Sequence, residues 1–246
     1  MALEDYKTAL VTGASSGIGA AVVTALRARG LTVTAAARRE ERLDALAVET
    51  GCTPLVVDLR DTKALYDALG GLEVDILVNN AGLGRGFEAL FTVSPEDISA
   101  TLETNVLAAV HVVRATLPGM VERKRGHIVN IGSIAGLYPI KSSLYGASKG
   151  AIHLLSQNLR VELQGSGVRV TEICPGRVET EFFQVAVGEE AAKEAYAGFE
   201  ILVPEDVADA ILYALDVPWR VNVGTIELTP TEQYAGGVTI APVERD

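Results

Sequence analysis

Residues that build metal centres and disulfide frameworks are scarce in this sequence. It contains two cysteines, Cys52 and Cys174, and three histidines, His111, His127 and His153. Two thiols cannot form the several disulfides of a small secreted scaffold or a four-cysteine metal site, and the histidines are not clustered at ligand spacing. We therefore predict that the chain holds no metal and no disulfide framework.

Positive charge is also scarce. The 246 residues include 21 Lys and Arg against 32 Asp and Glu, which gives a formal net charge of −11 at pH 7. A negative protein repels phosphate backbones and anionic lipid surfaces. We expect neither nucleic acid nor a membrane as a partner, and we expect a small-molecule substrate instead.

Long apolar runs are missing as well. No stretch approaches the about 20 consecutive apolar residues that a membrane-spanning helix needs. The first five residues, Met-Ala-Leu-Glu-Asp, have neither the basic nor the apolar part of a secretion signal. The sequence therefore predicts a cytoplasmic protein.

Short β-branched runs alternate with longer amphipathic runs along the chain, of which 48% is hydrophobic. This alternation is typical of an α/β fold with a parallel sheet and helices on both faces. We predict one doubly wound domain over residues 1–246, without repeats or linkers. The seven predicted strands are residues 8–11, 32–37, 54–58, 75–79, 127–131, 168–173 and 224–228, with a helix near 204–216 before the last. The irregular stretch at about 175–203 predicts a loop insertion that covers the substrate.

A glycine-rich turn follows the first predicted strand and precedes a helix-forming run. Its glycines, Gly13, Gly17 and Gly19, are spaced so that the backbone can turn tightly and approach a pyrophosphate. The N-terminus of the following helix supplies free N–H groups and a positive dipole end. Tight turns that only need positive φ show similar glycines, so this motif alone does not decide for a dinucleotide site.

The ends of the next predicted strands carry residues that suit the rest of such a ligand. Arg38 and Arg39 follow the second strand, where folds that bind a free ribose 2′-hydroxyl place an acid, and two guanidiniums there fit a 2′-phosphate. Asp58 ends the third strand and is placed to accept a hydrogen bond from an adenine amino group. Residues 79–82, Asn-Asn-Ala-Gly, end the fourth strand and leave small side chains where a ribose must pass.

Tyr145 and Lys149 lie four residues apart, so on a helix they project from one face. A cation beside a phenol stabilises the phenolate and lowers its pKa from about 10, which allows proton exchange with an alcohol or a carbonyl. An arbitrary Tyr-x-x-x-Lys is more often a partly buried Tyr with a solvated Lys. Here Ser133, twelve residues upstream, follows a predicted buried strand and presents a hydroxyl. The three side chains together favour a proton-transfer site.

These residues, in this order and spacing, make the chain resemble the short-chain dehydrogenases/reductases over nearly its whole length. The matching positions are Thr12-Gly13-x-x-x-Gly17-Ile18-Gly19, Asn79-Asn80-Ala81-Gly82, Asn105, Ser133, Tyr145-x-x-x-Lys149 and Pro175-Gly176. The resemblance implies a doubly wound, Rossmann-type sheet of seven strands, NAD(P) as cofactor and an oxidoreductase that acts on an alcohol or a carbonyl. Arg38 and Arg39 narrow the expected cofactor to NADP.

The resemblance also implies roles for single residues. Tyr145 is expected to be the general acid/base, and Ser133 to orient the substrate oxygen. Lys149 is expected to bind the nicotinamide ribose, and Asn105 to hold a proton-relay water, although from the sequence alone this amide is only a polar residue in an apolar helical run. The expected cofactor-binding residues are Gly13, Ser15, Ser16, Gly17, Ile18, Gly19, Arg38, Arg39, Asp58, Leu59, Asn80, Ala81, Gly82, Tyr145, Lys149, Pro175, Gly176, Val178 and Thr180.

Four stretches narrow the resemblance to the NADP-dependent 3-hydroxy acid dehydrogenases, which act on serine, allo-threonine and 3-hydroxypropionate. They are residues 117–123, 158–160, 204–207 and 229–236. The chain departs from this group at Cys174, where an acid is expected, and at Arg177 and Arg85, which lack counterparts. An NADPH-dependent reductase of a larger aldehyde or ketone is the alternative, and a non-enzymatic NADP(H)-binding sensor is a further one.

The carboxylate of a 3-hydroxy acid requires a cation or a cluster of N–H donors near Tyr145 and Ser133. Arg177 is the first candidate for this substrate-binding role, followed by Arg85 and Lys141, and each is equally well explained as a solvated loop charge.

Apolar helix faces predict an assembly. Residues 94–123 and 145–165 carry long apolar faces that include Leu154, Leu155 and Leu159. The family pairs these helices between subunits, so the resemblance implies a homodimer or a homotetramer.

Overall fold

The strands and helices follow one another in the order that the sequence predicts. The computed structural model describes residues 3–188, 190–192, 197–234, 236 and 240. The strands are β1 (Thr8–Thr12), β2 (Thr32–Ala37), β3 (Thr53–Val56), β4 (Ile76–Asn79), β5 (Gly126–Ile131), β6 (Val168–Pro175) and β7 (Thr225–Leu228). The helices are α1 (Gly17–Ala28), α2 (Glu40–Thr50), α3 (Thr62–Leu69), α4 (Pro95–Leu102), α5 (Ala108–Glu122), α6 (Ile134–Leu137), α7 (Ser143–Glu162), α8 (Glu181–Val187) and α9 (Pro204–Asp216).

The seven strands form one parallel sheet in the order β3-β2-β1-β4-β5-β6-β7. The chain runs outward from β1 to β3 and then returns to the other side of β1 at β4. This reversal opens a crevice beyond the carboxyl ends of β1 and β4, which is where doubly wound sheets bind their ligands. The predicted doubly wound α/β sheet is confirmed.

Two apolar cores, one on each face of the sheet, hold the helices in place. Successive strand residues point to opposite faces, so Leu10 and Val11 of β1 enter different cores, and both are fully buried. Each such side chain contributes about 1.5–3 kcal/mol when it leaves water. Among the described residues, no helix has the length and hydropathy that a membrane span requires.

The third strand ends earlier than predicted. It stops at Val56, and Asp58, which the sequence places at the strand end, lies in the turn that follows. The Asp58 side chain accepts a hydrogen bond from the Arg60 backbone N–H at 3.1 Å, and the Asp58 carbonyl accepts one from Asp61 N at 3.0 Å. These local bonds turn the chain towards α3 and end the strand.

The apolar face predicted on α7 is narrower than expected. Leu159 is only 5% exposed and belongs to a core, and Leu155 packs against the same core. Leu154, at 56% exposed, is the one of these three leucines that lies on the surface. The buried Leu159 and the partly buried Leu155 are therefore explained by the fold of a single chain.

The predicted insertion starts later than residue 175, because Pro175 is the last residue of β6. Val178 forms an isolated parallel bridge with Leu202, and this bridge brings the two ends of the segment together. Between them lies α8, while residues 189 and 193–196 of the insertion are outside the described part of the chain.

Candidate active site

One cavity of about 510 Å³ lies at the carboxyl edge of the sheet. The predicted site residues that line it are Gly13, Ser15, Ser16, Gly17, Ile18, Arg38, Arg39, Asp58, Leu59, Asn80, Ala81, Gly82, Ser133, Tyr145, Lys149, Pro175, Gly176, Arg177, Val178 and Thr180, together with Lys141. The cofactor positions and the proton-transfer positions thus share one space. Three predicted residues, Gly19, Asn105 and Arg85, are not part of its lining.

The glycine-rich turn is held against the end of β4. Gly13 has a φ of +65°, and a Cβ there would lie 2.8 Å from the Ala81 Cα, so the turn requires glycine. The Thr12 hydroxyl accepts hydrogen bonds from the N–H groups of Asn80 and Ala81, both at 3.0 Å. The Asn80 amide in turn donates to Thr12 O at 3.0 Å. The carboxyl ends of β1 and β4 are therefore fixed together around the crevice.

The turn presents a helix N-terminus that suits an anion. Gly19 lies behind the cavity wall, where a Cβ would clash with the Gly13 carbonyl, so glycine allows α1 to begin directly beneath the turn. The first turn of α1 has no acidic residue. Free N–H groups and the positive dipole end attract a phosphate, and no neighbouring carboxylate in that turn opposes it.

Arg39 is bound to the protein on three sides. Its Nε donates to Ser15 Oγ at 3.0 Å, its Nη2 donates to Ser16 Oγ at 2.6 Å, and its Nη1 pairs with Glu181 at 2.9 Å. Arg42 pairs with the other Glu181 oxygen at 2.6 Å. The hydrogen bonds from Arg39 and Arg42 lower the pKa of Glu181. These contacts connect the turn, the start of α2 and the start of α8.

Arg38 and Asp58 lie beside this group. The Arg38 side chain is 60% exposed and its Nη1 is 4.0 Å from an Asp58 oxygen. Arg60, which the sequence analysis did not select, donates from Nε to Asp58 Oδ1 at 3.0 Å and from Nη2 to Oδ2 at 2.6 Å. The pKa of Asp58 is lowered, and the largest cause is the hydrogen bonding of this fork-like pair. Both carboxylate oxygens of the residue predicted for adenine recognition are thus already bonded to a guanidinium.

Ser133 and Tyr145 meet where α6 and α7 begin. Ser133 caps α6, and its hydroxyl accepts a hydrogen bond from Ala135 N at 3.1 Å. Tyr145 is the third residue of α7 and is 8% exposed. Burial raises the pKa of Tyr145 to about 12, and a hydrogen bond from Ser133 acts in the opposite direction. The Ser133 hydroxyl therefore lies beside the phenol, as proton transfer to a substrate oxygen requires.

Lys149 is buried one turn along α7, where its Nζ donates to Ile131 O at 2.9 Å. Burial lowers the pKa of Lys149 to about 8. The sequence analysis expected Lys149 to lower the Tyr145 pKa, but within the protein Tyr145 has a higher pKa than an isolated phenol. Burial disfavours both the Tyr145 phenolate and the Lys149 ammonium. The ammonium also donates its hydrogen bond to the carbonyl of Ile131 and not to Tyr145.

Asn105 supports the site from behind its wall. It lies in a π-helical segment, Glu103–Leu107, that separates α4 from α5. Its Oδ1 accepts from Leu83 N at 2.6 Å, and its Nδ2 donates to Leu83 O at 3.1 Å and to Ser148 Oγ at 3.2 Å. Short π-helical segments inside α-helices are frequent at functional sites. Asn105 thus fastens the loop after β4 to α7, and its predicted water-binding role stays a prediction.

Two phenylalanines that were not predicted contact the Tyr145 ring, and a third packs against one of them. The Phe87 ring stacks on the Tyr145 ring, with centroids 4.7 Å apart, and the Phe182 ring lies 5.8 Å from it. Phe183 approaches Phe87 edge-on at 6.5 Å. The chain has only five phenylalanines. They lie in two short stretches before and after residues 145–149, and this is the sequence feature that could have pointed to them. Nothing in the local pattern shows that their rings meet.

The three candidate cations for a substrate carboxylate have different surroundings. Arg177 lines the cavity, and its guanidinium lies 5.5 Å from the centre of the Phe199 ring. Its backbone N–H donates to Gln233 Oε1 at 3.1 Å, and Gln233 is a further lining residue that the sequence analysis missed. Lys141 also lines the cavity, whereas Arg85 pairs with Asp97 at 3.5 Å.

Known proteins match the chain over most of its length. A family model described as short chain dehydrogenase matches residues 7–191. The chain is 43% identical over 245 residues to an uncharacterized short-chain type dehydrogenase/reductase of Sinorhizobium fredii, with 99% of both chains covered. It is 42% identical over 239 residues to the NADP-dependent 3-hydroxy acid dehydrogenase YdfG of Escherichia coli, covering 92% of this chain and 96% of that protein.

Among solved structures, the closed form of a serine dehydrogenase complexed with NADP⁺ superimposes with a TM-score of 0.90 at 40% identity. The superposition covers 97% of this chain and 100% of that chain.

Proposed function

Because the chain belongs to the short chain dehydrogenase family, we propose that this NADP-dependent oxidoreductase transfers a hydride between NADP(H) and a small 3-hydroxy acid. The observation that supports this proposal most is the cavity described above, whose wall includes the glycine-rich turn, Arg38, and the set Ser133, Tyr145 and Lys149. A cofactor and a substrate oxygen can therefore meet beside a buried phenol.

The residues of the cavity suit NADP(H). The glycine-rich turn and the acid-free first turn of α1 would hold the pyrophosphate. Arg38 and Arg39 would hold the 2′-phosphate, and Lys149 with residues 175–180 would hold the nicotinamide ribose and amide. When bound, the nicotinamide supplies or accepts the hydride.

The residues of this chain then handle the proton. In the oxidative direction the Tyr145 phenolate takes the proton of the substrate hydroxyl, and in the reductive direction the Tyr145 O–H protonates the developing alkoxide. Ser133 donates a second hydrogen bond to that oxygen. Because burial raises the Tyr145 pKa to about 12, oxidation depends on partners such as Ser133 that stabilise the phenolate.

The 3-hydroxy acid class is supported by two arguments. Relatives at about 40% identity are named 3-hydroxy acid dehydrogenases, and a structural neighbour is a serine dehydrogenase. Arg177 is a cation in the cavity lining of a chain whose net charge is −11, and a carboxylate is the group that such a cation binds.

The test compares substrates with and without the carboxylate. NADP-dependent oxidation of L-serine, L-allo-threonine or 3-hydroxybutyrate is expected to exceed that of 2-butanol in kcat/KM. Arg177→Ala is expected to raise KM for the acids about tenfold or more, because a charge-assisted hydrogen bond is worth about 1.5–3 kcal/mol, and to leave 2-butanol unchanged. Arg85→Ala, which removes a cation outside the cavity lining, is the matched control. Comparable kcat/KM for 3-hydroxybutyrate and 2-butanol would reject the carboxylate requirement.

One observation favours the second candidate, an NADPH-dependent reductase of a larger aldehyde or ketone. The rings of Phe87 and Phe182 flank Tyr145, and such rings suit an apolar substrate. Preference for a long-chain or aromatic aldehyde over every 3-hydroxy or 3-keto acid would select this candidate. The non-enzymatic NADP(H) sensor is not carried further, because the chain belongs to a family of dehydrogenases.

The domain organisation, the covering segment and the assembly follow the predictions made from the sequence. We propose that the chain acts as one domain, that residues about 175–203 cover the substrate, and that the protein assembles as a homodimer or a homotetramer. Its cytoplasmic location stays a prediction from the sequence.

A further inference from the structure

A buried carboxylate that the mechanism does not use lies behind the catalytic residues. Glu172, in the middle of β6, is 0% exposed. Its Oε2 is 2.6 Å from His153 Nδ1 on α7, and its Oε1 is buried without a hydrogen-bond partner. A buried acid is costly unless a cation or donor compensates it, so the position calls for an explanation.

The carboxylate lies close to the anchor point of Lys149. Lys149 and His153 are four residues apart and share a face of α7, and His153 holds the carboxylate of Glu172. The Lys149 ammonium donates to Ile131 O, and at the next residue, Gly132, a Cβ would clash with Glu172 Oε1. The Lys149 ammonium and the Glu172 carboxylate thus lie against two consecutive residues, Ile131 and Gly132, at the end of β5.

We infer that Glu172 is a positioning residue, the buried counter-charge that keeps Lys149 protonated where the proposed mechanism needs it. The inference rests on the proposed function for the role of Lys149, but its electrostatic part concerns the protein alone. Nothing in the reaction requires Glu172 to touch the substrate or the cofactor.

The charges around Lys149 support this assignment. Burial lowers the pKa of Lys149 to about 8, and Cys174 and Glu172 both oppose that decrease. Burial, followed by Glu172, raises the pKa of the Cys174 thiol far above neutral, so Cys174 is uncharged at working pH. Cys174 is the larger of the two opposing influences on Lys149 when it is ionised, but a protonated thiol carries no charge, which leaves Glu172 as the acid that the inference assigns to Lys149.

The other titratable groups near this cluster have partners of their own. On β7, Glu227 is opposite Cys174 in the strand register, and it accepts a hydrogen bond from the Tyr138 hydroxyl at 2.8 Å. On α7, His153 also contacts the Gln157 amide at 2.8 Å. Among the described residues, Glu172 is the acid whose carboxylate borders Gly132, the residue next to the carbonyl that Lys149 binds.

The experiment measures the pH dependence of reduction. Acetoacetate reduction at saturating NADPH is followed from pH 6 to 9 in the wild type, Glu172→Gln, Glu172→Asp and Cys174→Ser. In Glu172→Gln the alkaline loss of activity is expected to begin about one pH unit lower, so that the rate at pH 8 falls about fivefold and the rate at pH 6.5 changes less than about threefold. Two control variants are expected to keep the alkaline side of the wild-type pH–rate profile. Glu172→Asp keeps a carboxylate, and Cys174→Ser changes the same cluster without removing one. The inference would be overturned if the activity of Glu172→Gln fell at the same alkaline pH as that of the wild type. It would also be overturned if Cys174→Ser shifted this pH as much as Glu172→Gln does.

A second readout does not depend on turnover. The NADPH dissociation constant, measured by fluorescence over the same pH range, is expected to increase about one pH unit earlier in Glu172→Gln than in the wild type. If the wild type reduces no substrate, the proposed function fails while this binding profile still tests Glu172. Coincident binding profiles of Glu172→Gln and the wild type, with both proteins folded by circular dichroism, contradict the inference.

Discussion

Two neighbouring arginines with the same predicted role have different surroundings. Arg39 already bonds Ser15, Ser16 and Glu181, whereas Arg38 is 60% exposed and has only a 4.0 Å contact with Asp58. A guanidinium whose donors are already bonded gains less from a new anion than one in water-exposed surroundings. At the residue scale, we therefore expect Arg38 to be the main discriminator between cofactors with and without a 2′-phosphate.

Arg38→Asp is expected to reduce the preference for NADP over NAD by one to two orders of magnitude. It removes charge-assisted bonds worth about 1.5–3 kcal/mol each and adds a repulsive carboxylate. The measurement is kcat/KM with both cofactors, and Arg29→Asp, the same charge change at an exposed residue after α1, is the control. An unchanged cofactor ratio in Arg38→Asp would refute this role.

The placement of individual candidate residues was predictable where a motif fixed their spacing. The glycine-rich turn, Ser133, Tyr145 and Lys149 line one cavity, as their positions at strand ends and a helix start indicated. Phe87, Arg60 and Glu181 were not selected, because each reaches the site through long-range packing that leaves no periodic signal. The Tyr145 pKa was mispredicted for the same reason, since burial depends on the whole fold.

At the scale of elements, α8 is connected to α2 by charge. Glu181 is the first residue of α8, and it pairs with Arg39, the N-cap of α2, and with Arg42. All three side chains are more than 40% exposed, so solvent screens each pair to about 0.2–1 kcal/mol. Two such pairs connect the start of α8 to α2 without making this connection rigid.

Glu181→Gln is expected to accelerate NADPH dissociation about three- to tenfold, because it removes both ion pairs that hold α8 over the cavity. Stopped-flow displacement measures this rate, and Glu179→Gln, an exposed acid two residues earlier, is the control. Slower dissociation or tighter NADPH binding in Glu181→Gln would contradict the connection and show that Glu181 competes with the 2′-phosphate.

The order and type of the elements were more predictable than their ends. The predicted strand at 32–37 and the predicted helix at 204–216 agree with β2 and α9 residue by residue. The end of β3 and the π-helical segment were missed, because side-chain bonds to the backbone decide both. Hydrophobic periodicity reports which face is buried, not where a local hydrogen bond ends an element.

At the scale of the whole molecule, the predicted assembly depends on surface that one chain leaves exposed. Leu154 and Val161 of α7 are 56% and 66% exposed, and they lie seven residues apart on one face. Leu107, next to α5, is also 54% exposed. Exposed apolar side chains on neighbouring helices are typical of subunit contacts.

Leu154→Glu is therefore expected to lower the molar mass measured by analytical ultracentrifugation, because it places a charge in an apolar contact. Val48→Glu changes a residue that is 90% exposed on α2 and is the control. A wild type that sediments as a monomer, or a Leu154→Glu variant with the wild-type mass, would exclude this interface.

The most direct test of the account is the turnover and the NADPH binding of Tyr145→Phe, measured side by side with the wild type. The variant keeps the ring that stacks on Phe87 and loses only the proton-transfer group. We predict that kcat falls at least about a hundredfold, while the NADPH dissociation constant changes less than about threefold. A variant that keeps a tenth or more of the wild-type kcat would contradict the central claim that Tyr145 transfers the proton.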